Sequence, residues 1–326
     1  MKGLVIVVLV VAAVLIGWKT GIFANAETAP QMLTQSMKMQ SSVDHVIKNF
    51  SVTMTDKSDG GSKDLGSLTL TVGTNQAETV AGTTAQVVFD GTFKDDEGGP
   101  FSTINIGGEF LMMGKIFYMK LTKLPMIPIF DPSTVKDQWF KIDPVALTRS
   151  FGGDEEAQKI DEQLDLMGAQ SKENQEAIAT AYDKHNFFTN PAFTGTEDVG
   201  GHKVKMISFG IDKDKLADFI LEVATLVTKN NADAEAEVPT KAEIVELLAD
   251  INFTNLTVGV GTGDHRVYTM GGTITVTDTE ADMIMEVALT GTMDYDTPVV
   301  VTAPAKSEPI EKLLAPLMGA MRGGGM

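Results

Sequence analysis

The side chains able to do chemistry are few and scattered. The four histidines are His45, His185, His202 and His265. None has a partner at the two-, three- or four-residue spacing that builds a metal pair, so they read as ordinary polar positions and no metal site is expected. There is no cysteine, which removes disulfides, thiolate zinc sites, iron–sulfur clusters, thiol nucleophiles and any lipidated cysteine. No Gly-x-Ser-x-Gly elbow presents a serine nucleophile. Gly259-x-Gly261-x-Gly263 lacks both the Lys-Ser/Thr and the following helix of a phosphate loop, and reads as a bulged strand entering a hairpin turn. The acidic runs at 95–97, 154–156 and 278–282 lack the alternating ligand spacing of a calcium loop and read as solvated loops. No pair of carboxylates stands out for glycoside chemistry. The triplets at Asn49, Asn252 and Asn255 match glycosylation sequons. The expectation is a protein that is not an enzyme and carries no cofactor.

Charge narrows the partners. The 326 residues hold 26 Lys and Arg against 44 Asp and Glu, a net charge of −18. Nucleic acid and anionic lipid surfaces both need a basic patch, so no nucleic-acid partner is expected. At 43% hydrophobic and 21% charged residues, the chain has the composition of a globular protein.

The N-terminus carries an export signal. Lys2 precedes thirteen consecutive apolar residues, 4–16, and Ala24-Asn25-Ala26 offers a small-x-small cleavage site before Glu27. The rival reading is a retained anchor. Residues 4–18 make a short span of roughly 22 Å at 1.5 Å per residue, with Trp18 at the interface and Lys19 snorkelling to it. Either way residues 27–326 lie outside the cytoplasm, periplasmic or at the cell surface, soluble after cleavage or anchored by residues 4–18.

Beyond the signal, Met32, Leu33, Met39, Val43, Val46, Ile47 and Phe50 recur at helical spacing, which predicts a helix within 27–50. The period then changes to two. Strands are predicted around Leu68–Val72, Val87–Phe89 and Ile104–Ile106, and a hairpin turns at Gly114-Lys115 between Phe110–Met113 and Ile116–Leu121. A Pro-punctuated loop (Pro125, Pro128, Pro132) and a short strand at 139–143 follow. The middle of the chain is helical: 154–184, a helix capped by Asp212, and a third opened by a Thr240/Glu243 capping box. Strands return at 253–260, 267–270, 273–277 and 283–293, and Pro298 opens an apolar run at 299–301.

With no linker to divide it, residues 27–315 are expected to form one domain, with a Gly- and Met-rich tail at 316–326. The expected fold is α+β: roughly nine to eleven strands in one large antiparallel sheet that curls and packs against the helices, leaving a concave apolar face.

Several stretches together resemble one exported family. Phe117-Tyr118-Met119-Lys120-Leu121, then Trp139-Phe140-Lys141-Ile142-Asp143, is similar to the strand rhythm of LolA-like and LppX/LprG-like proteins. Gly201-His202-Lys203-Val204 running into the 212–227 helix resembles that group's strand-then-helix step. Gly263-Asp264-His265-Arg266-Val267 and the stretch from Asp294 to Pro304 resemble its hairpin turn and closing strand. The resemblance covers most of residues 30–315. It implies a half-barrel with a hydrophobic cavity that binds acyl chains or lipidated proteins, or that senses the envelope. The chain departs from the lipoprotein members in lacking the lipobox cysteine.

The inward positions expected to line such a cavity are Leu68, Leu70, Val87, Phe89, Ile104, Phe117, Met119, Met283, Met285, Val287 and Leu289. Many of the 18 methionines fall in predicted strands, where a soft, adaptable side chain suits either plain core filling or a varied apolar ligand. The expected function is sequestration of a lipid acyl chain or similar hydrophobic ligand. The alternative is an envelope structural or interaction protein with a self-filled core and an acidic face turned to a protein partner. The membrane is a partner through the N-terminal segment if that segment is uncleaved.

Overall fold

The computed structural model describes residues 28–39, 43–58, 60–77, 82–94, 102–125, 133, 135–230, 238–278 and 283–312. The export segment, the acidic run 95–97, the loop at Pro128 and Pro132, and the tail 316–326 lie outside the described residues. In chain order the elements are α1 (Ala29–Met39), β1 (His45–Asp56), β2 (Lys63–Asn75), β3 (Thr84–Lys94), β4 (Thr103–Met113), β5 (Ile116–Lys123), β6 (Trp139–Ile142), α2 (Pro144–Gly152), α3 (Asp154–His185), β7 (Phe188–Val199), β8 (His202–Ile211), α4 (Lys213–Asn230), α5 (Lys241–Ala249), β9 (Ile251–Gly261), β10 (Val267–Asp278), β11 (Met283–Asp294) and β12 (Glu308–Pro309).

The fold is α+β. Twelve strands form one open sheet in the order β12-β6-β5-β4-β3-β2-β1-β11-β10-β9-β8-β7. The pairings with a described register are antiparallel, apart from the two-residue β12, which runs parallel to β6. Local signals place the helices. Asp143 caps α2, its Oδ1 accepting from Ala146 N, with Pro144 in the first turn. Thr240 and Glu243 close a capping box on α5. The acidic run 154–156 is the first turn of α3 rather than a loop, where three carboxylates meet the positive end of the helix dipole.

The chain divides into two compact units that separate within β1 after Ser51. The first holds α1, the second half of β1, the last part of α3, and everything from β7 to Met293. Its sheet runs β11-β10-β9-β8-β7, with Val258 paired to Met270, Ile274 to Val287 and Val276 to Met285. Helices α1 and α5 pack on β9, and α5 packs on α4. The core is solid: Met32, Leu33, Phe219, Leu248, Ile207, Val258 and Val287 are all fully buried. A run of aromatic contacts, Phe219–Phe187–Phe188–Phe209, ties α4 to β8. Tyr182 joins this cluster, and burial pushes its phenol well above the usual value, against a hydrogen bond with Thr34.

The edge strand of this unit, β7, is exposed along most of its length. Its pairing to β8 slips twice, between Thr189 and Ala192 and between Phe193 and Gly195. Asn190 takes a left-handed φ of 49° just before Pro191. With Pro191, Gly195 and no alternation, this stretch gives no strand signal in the sequence.

The second unit holds the first half of β1, β2 from Leu65 on, β3 to β6, α2, the start of α3, and the residues after Met293. Its strands are successive antiparallel hairpins. The tightest turn, at Gly114, has φ 61°, a conformation that glycine adopts without penalty. Lys115, next in that turn, reaches α3 and pairs with Asp161 at 2.6 Å and Asp165 at 2.8 Å. Those two hydrogen bonds to its ammonium hold the lysine above its ordinary pKa.

The structure corrects the helix predicted within 27–50. Helix α1 ends at Met39 and β1 begins at His45. The buried residues of β1 are Val46, Phe50 and Met54, with the half-buried Lys48 and Val52 between them on the same face. That spacing of four mimics a helix. The strands predicted at 267–270 and 273–277 are one strand, β10, irregular at Gly271–Thr273. The run at 299–301 forms no strand.

Candidate functional site

Alternation along β2 to β5 gives the second unit one face that is apolar throughout. Directly paired residues share a face. Leu70 pairs with Phe89, Val72 with Val87, and Leu68 with Gly91. Val87 pairs with Phe110, Phe93 with Ile104, and Gly91 with Ile106. Phe110 pairs with Met119 and Met112 with Phe117. Phe117 pairs with Ile142 and Met119 with Phe140. Within these spans every side chain on this face is apolar or absent.

The opposite face is mixed: it carries the buried Leu111, paired with Gln86 and Tyr118, and the exposed Val88, beside a set of paired polar groups. Glu109 pairs with Lys120 at 2.8 Å and accepts from Gln86 at 2.6 Å. Lys123 pairs with Asp90, Thr92 donates to Asn105, and the Lys120 ammonium lies 4.5 Å from the Trp139 ring centroid. Such a ladder satisfies a solvated face.

What marks the apolar face is incomplete burial. From Leu68 in β2 to Leu121 in β5, none of its apolar side chains is fully buried, and Phe110 is 37% exposed. Among the described residues one end is closed. There Phe140, Val135 and Ile310 form a buried cluster, with Met119, Leu124, Ile142 and Leu147 packed against it. At about 4.8 Å per strand step, β2 to β6 spans roughly 19 Å. Glycines keep the surface low. The Phe89 ring lies over Gly108, where a Cβ would sit 2.8 Å from Phe89 Cζ, and Leu68, Phe93 and Ile106 close around Gly91.

The residues expected to line a cavity therefore fall into two groups. Leu68, Leu70, Val87, Phe89, Ile104, Phe117 and Met119 share the apolar face of the second unit. Met283, Met285, Val287 and Leu289 share one face of β11 in the first unit. Met285, Val287 and Leu289 are 6%, 0% and 7% exposed, buried with that unit's core, and Met283 is half-buried. Sequence reasoning missed Phe110 and Met112. They lie in a run of four apolar residues, Phe110-Leu111-Met112-Met113, where parity is hidden, and only the pairing to Val87 and Met119 separates Phe110 from the buried Leu111.

The remaining polar candidates do not converge. His185 hydrogen-bonds Glu222 at 2.6 Å, and Lys184 bonds the same carboxylate oxygen at 2.8 Å. Those two bonds, lysine first, hold Glu222 below the usual carboxylate range. His45 opens β1, and His265 sits in a turn with φ 58°. His202 stacks on Tyr268 at 4.3 Å, and the Tyr268 hydroxyl donates to Asp264 at 2.7 Å. These groups line a shallow polar cavity of about 300 Å³ at the β7–β8 and β9–β10 turns, with Gly201, Lys203, Thr262 and Gly263. The glycine triplet serves packing there: a Cβ on Gly259 would meet Thr269 and Met206, and one on Gly261 would collide with Asp264. Among the described residues no three His, Asp or Glu side chains gather as a metal site, and no helix is long and apolar enough to cross a membrane.

The backbone is similar to that of lipoprotein LppX of Mycobacterium tuberculosis. The match covers 84% of this chain and 98% of that one, at 15% sequence identity and a TM-score of 0.33. No family model matches the sequence, and no curated protein matches it.

Proposed function

We propose that this protein sequesters the acyl chain of a lipid, or a similarly apolar ligand, on the β2–β6 face and performs no chemistry on it. The observation that carries this reading is the contrast in burial. The first unit fills its core with its own side chains, whereas the second keeps a face without a polar group half-covered, with Phe110 37% exposed. Each buried methylene contributes about 0.8 kcal/mol, so a ligand needs no polar anchor to bind there. In this reading residues 1–26 export or anchor the chain, residues 27–315 make up the binding domain, and the ligand is met outside the cytoplasm.

The test is native purification of residues 27–326, organic extraction and mass spectrometry. A stoichiometric lipid is expected from the wild type and from Val88→Asp, whose side chain lies on the opposite face. It is expected to be lost from Phe110→Asp. An empty wild-type protein of full stability, with no gain on mixing with lipid extract, overturns the reading and leaves the protein-partner alternative.

A further inference from the structure

We propose that two copies of this protein pair through the segment 298–304, antiparallel and about a two-fold axis at Val301. The surface is separate from the β2–β6 apolar face, so the proposal stands or falls apart from the ligand reading.

The segment reads Pro298-Val299-Val300-Val301-Thr302-Ala303-Pro304 and joins β11 to β12 inside the second unit. Three valines and a threonine in a row favour a strand, yet no strand of this chain pairs with them. One side is anchored. Val299 is 9% exposed and lies over Gly73 of β2, where a Cβ would come within 3.2 Å of Val299 Cγ1. Burial then alternates: Val300 is 77% exposed, Val301 half-buried and Thr302 exposed. That is the pattern of an extended chain with one side on the protein and the other free. Among the described residues no N–H of 299–303 donates a hydrogen bond. Water can satisfy these donors. A second strand satisfies them and covers Val300 as well.

The prolines select the edge, and the edge selects the partner. Successive N–H groups of an extended chain point to opposite edges. Pro298 and Pro304 share the parity of Val300 and Thr302, so that edge has lost two of its four donors. The other edge keeps all three of its own, at Val299, Val301 and Ala303. Centred on Val301, that edge is its own antiparallel complement. Val299 of one copy meets Ala303 of the other, and Val300 meets Thr302. The same register sets Asp296 of one copy beside Lys306 of the other, at both ends, with nine uncharged residues between them. Asp296 and Lys306 are exposed, and Lys306 makes no ion pair among the described residues. In a protein of net charge −18, an uncharged strip with complementary ends is where two copies can meet without repulsion. The proline-blocked edge stops the assembly at two. About six main-chain hydrogen bonds join the copies, a small interface, so the pairing is reversible.

The chain has no cysteine, so introduced ones report the register. Directly opposite positions lie about 5 Å apart and diagonal ones about 7–8 Å, and a disulfide needs Cα atoms within about 7 Å. Full-length Val300→Cys is mixed with full-length Thr302→Cys under mild oxidation. The mixed disulfide is expected to form about ten-fold faster than either variant closes on itself, because only the mixed pair is directly opposite. Thr297→Cys mixed with Ala305→Cys, also opposite and also exposed, is expected to show the same preference and guards against one variant failing to fold. Asp296→Lys in both chains is expected to remove the preference, and Asp296→Lys with Lys306→Asp to restore it. Equal rates for matched and unmatched cysteines, or no closure of either mixture, overturn the proposal. A preference unmoved by the charge reversal, or not restored by the swap, overturns the charge-matched register.

Discussion

Phe89 and Phe110 stack across β3 and β4, with ring centroids 6.3 Å apart and planes inclined by 29°. The geometry depends on Gly108, which pairs directly with Phe89 and carries no side chain to hold the ring up. A Cβ at Gly108 would lie 2.6 Å from the Lys120 carbonyl oxygen as well as against the Phe89 ring. Gly108→Ala is therefore expected to cost about 1–3 kcal/mol, the range for overpacking, and to lower the urea midpoint. Gly195→Ala, where a Cβ meets nothing within 4 Å, is expected to leave that midpoint close to wild type.

Burial separates two apolar strand side chains, one in each unit. Val287 is 0% exposed and Phe110 is 37% exposed. Val287→Ala should lose on the order of 2 kcal/mol of stability, at the lower end of large-to-small core losses, and should retain oleic acid. Phe110→Ala should do the reverse, with little change in melting temperature and a clear loss of oleic acid in equilibrium dialysis. The opposite pattern would move the binding surface to β11.

Acid should loosen the α3–α4 contact. Lys184 and then His185 hold Glu222 below its ordinary pKa of 4.5. A carboxylate whose pKa is lower in the folded state stabilises that state above its ordinary pKa, and this contribution is lost as pH falls through the folded value. The wild type should therefore lose more melting temperature between about pH 5 and about pH 3 than Glu222→Gln does. Parallel curves would show that the clamp contributes nothing.

Thr240 carries a cap that can be removed alone. Its side chain accepts from Glu243 N while the Glu243 carboxylate accepts from Thr240 N at 2.7 Å, and these hydrogen bonds hold Glu243 below its usual pKa. Thr240→Ala should cost about 1 kcal/mol and speed amide exchange in the first turn of α5. Exchange at Leu216, on α4, should not change.

The sequence showed most of the second unit because its strands alternate strictly. Leu68-Thr69-Leu70-Thr71-Val72 can face a core in only one way, and the Gly114 turn fixes the β4–β5 register. Capped helices were equally plain at Asp212 and Thr240, where one side chain satisfies a terminal N–H. Legibility failed where inward positions were not uniformly apolar, as in β1, or where pairing slips, as in β7. The division of the eleven candidate residues was hidden for another reason. Alternation says which way a side chain points along its strand. It does not say how far that side chain is covered, and that is what distinguishes Val287, fully buried, from Val87, half-buried.

The irregular β7 has a consequence for the molecule in company. A free sheet edge offers a row of donors and acceptors that a second chain can copy, the first step of fibril growth. Along β7 that row is broken. Pro191 has no N–H to give, Asn190 turns the backbone aside, two slips change the spacing, and Glu197 and Asp198 add like charge to any strand that approaches. The protein can therefore carry an uncovered edge at high concentration without templating its own aggregation.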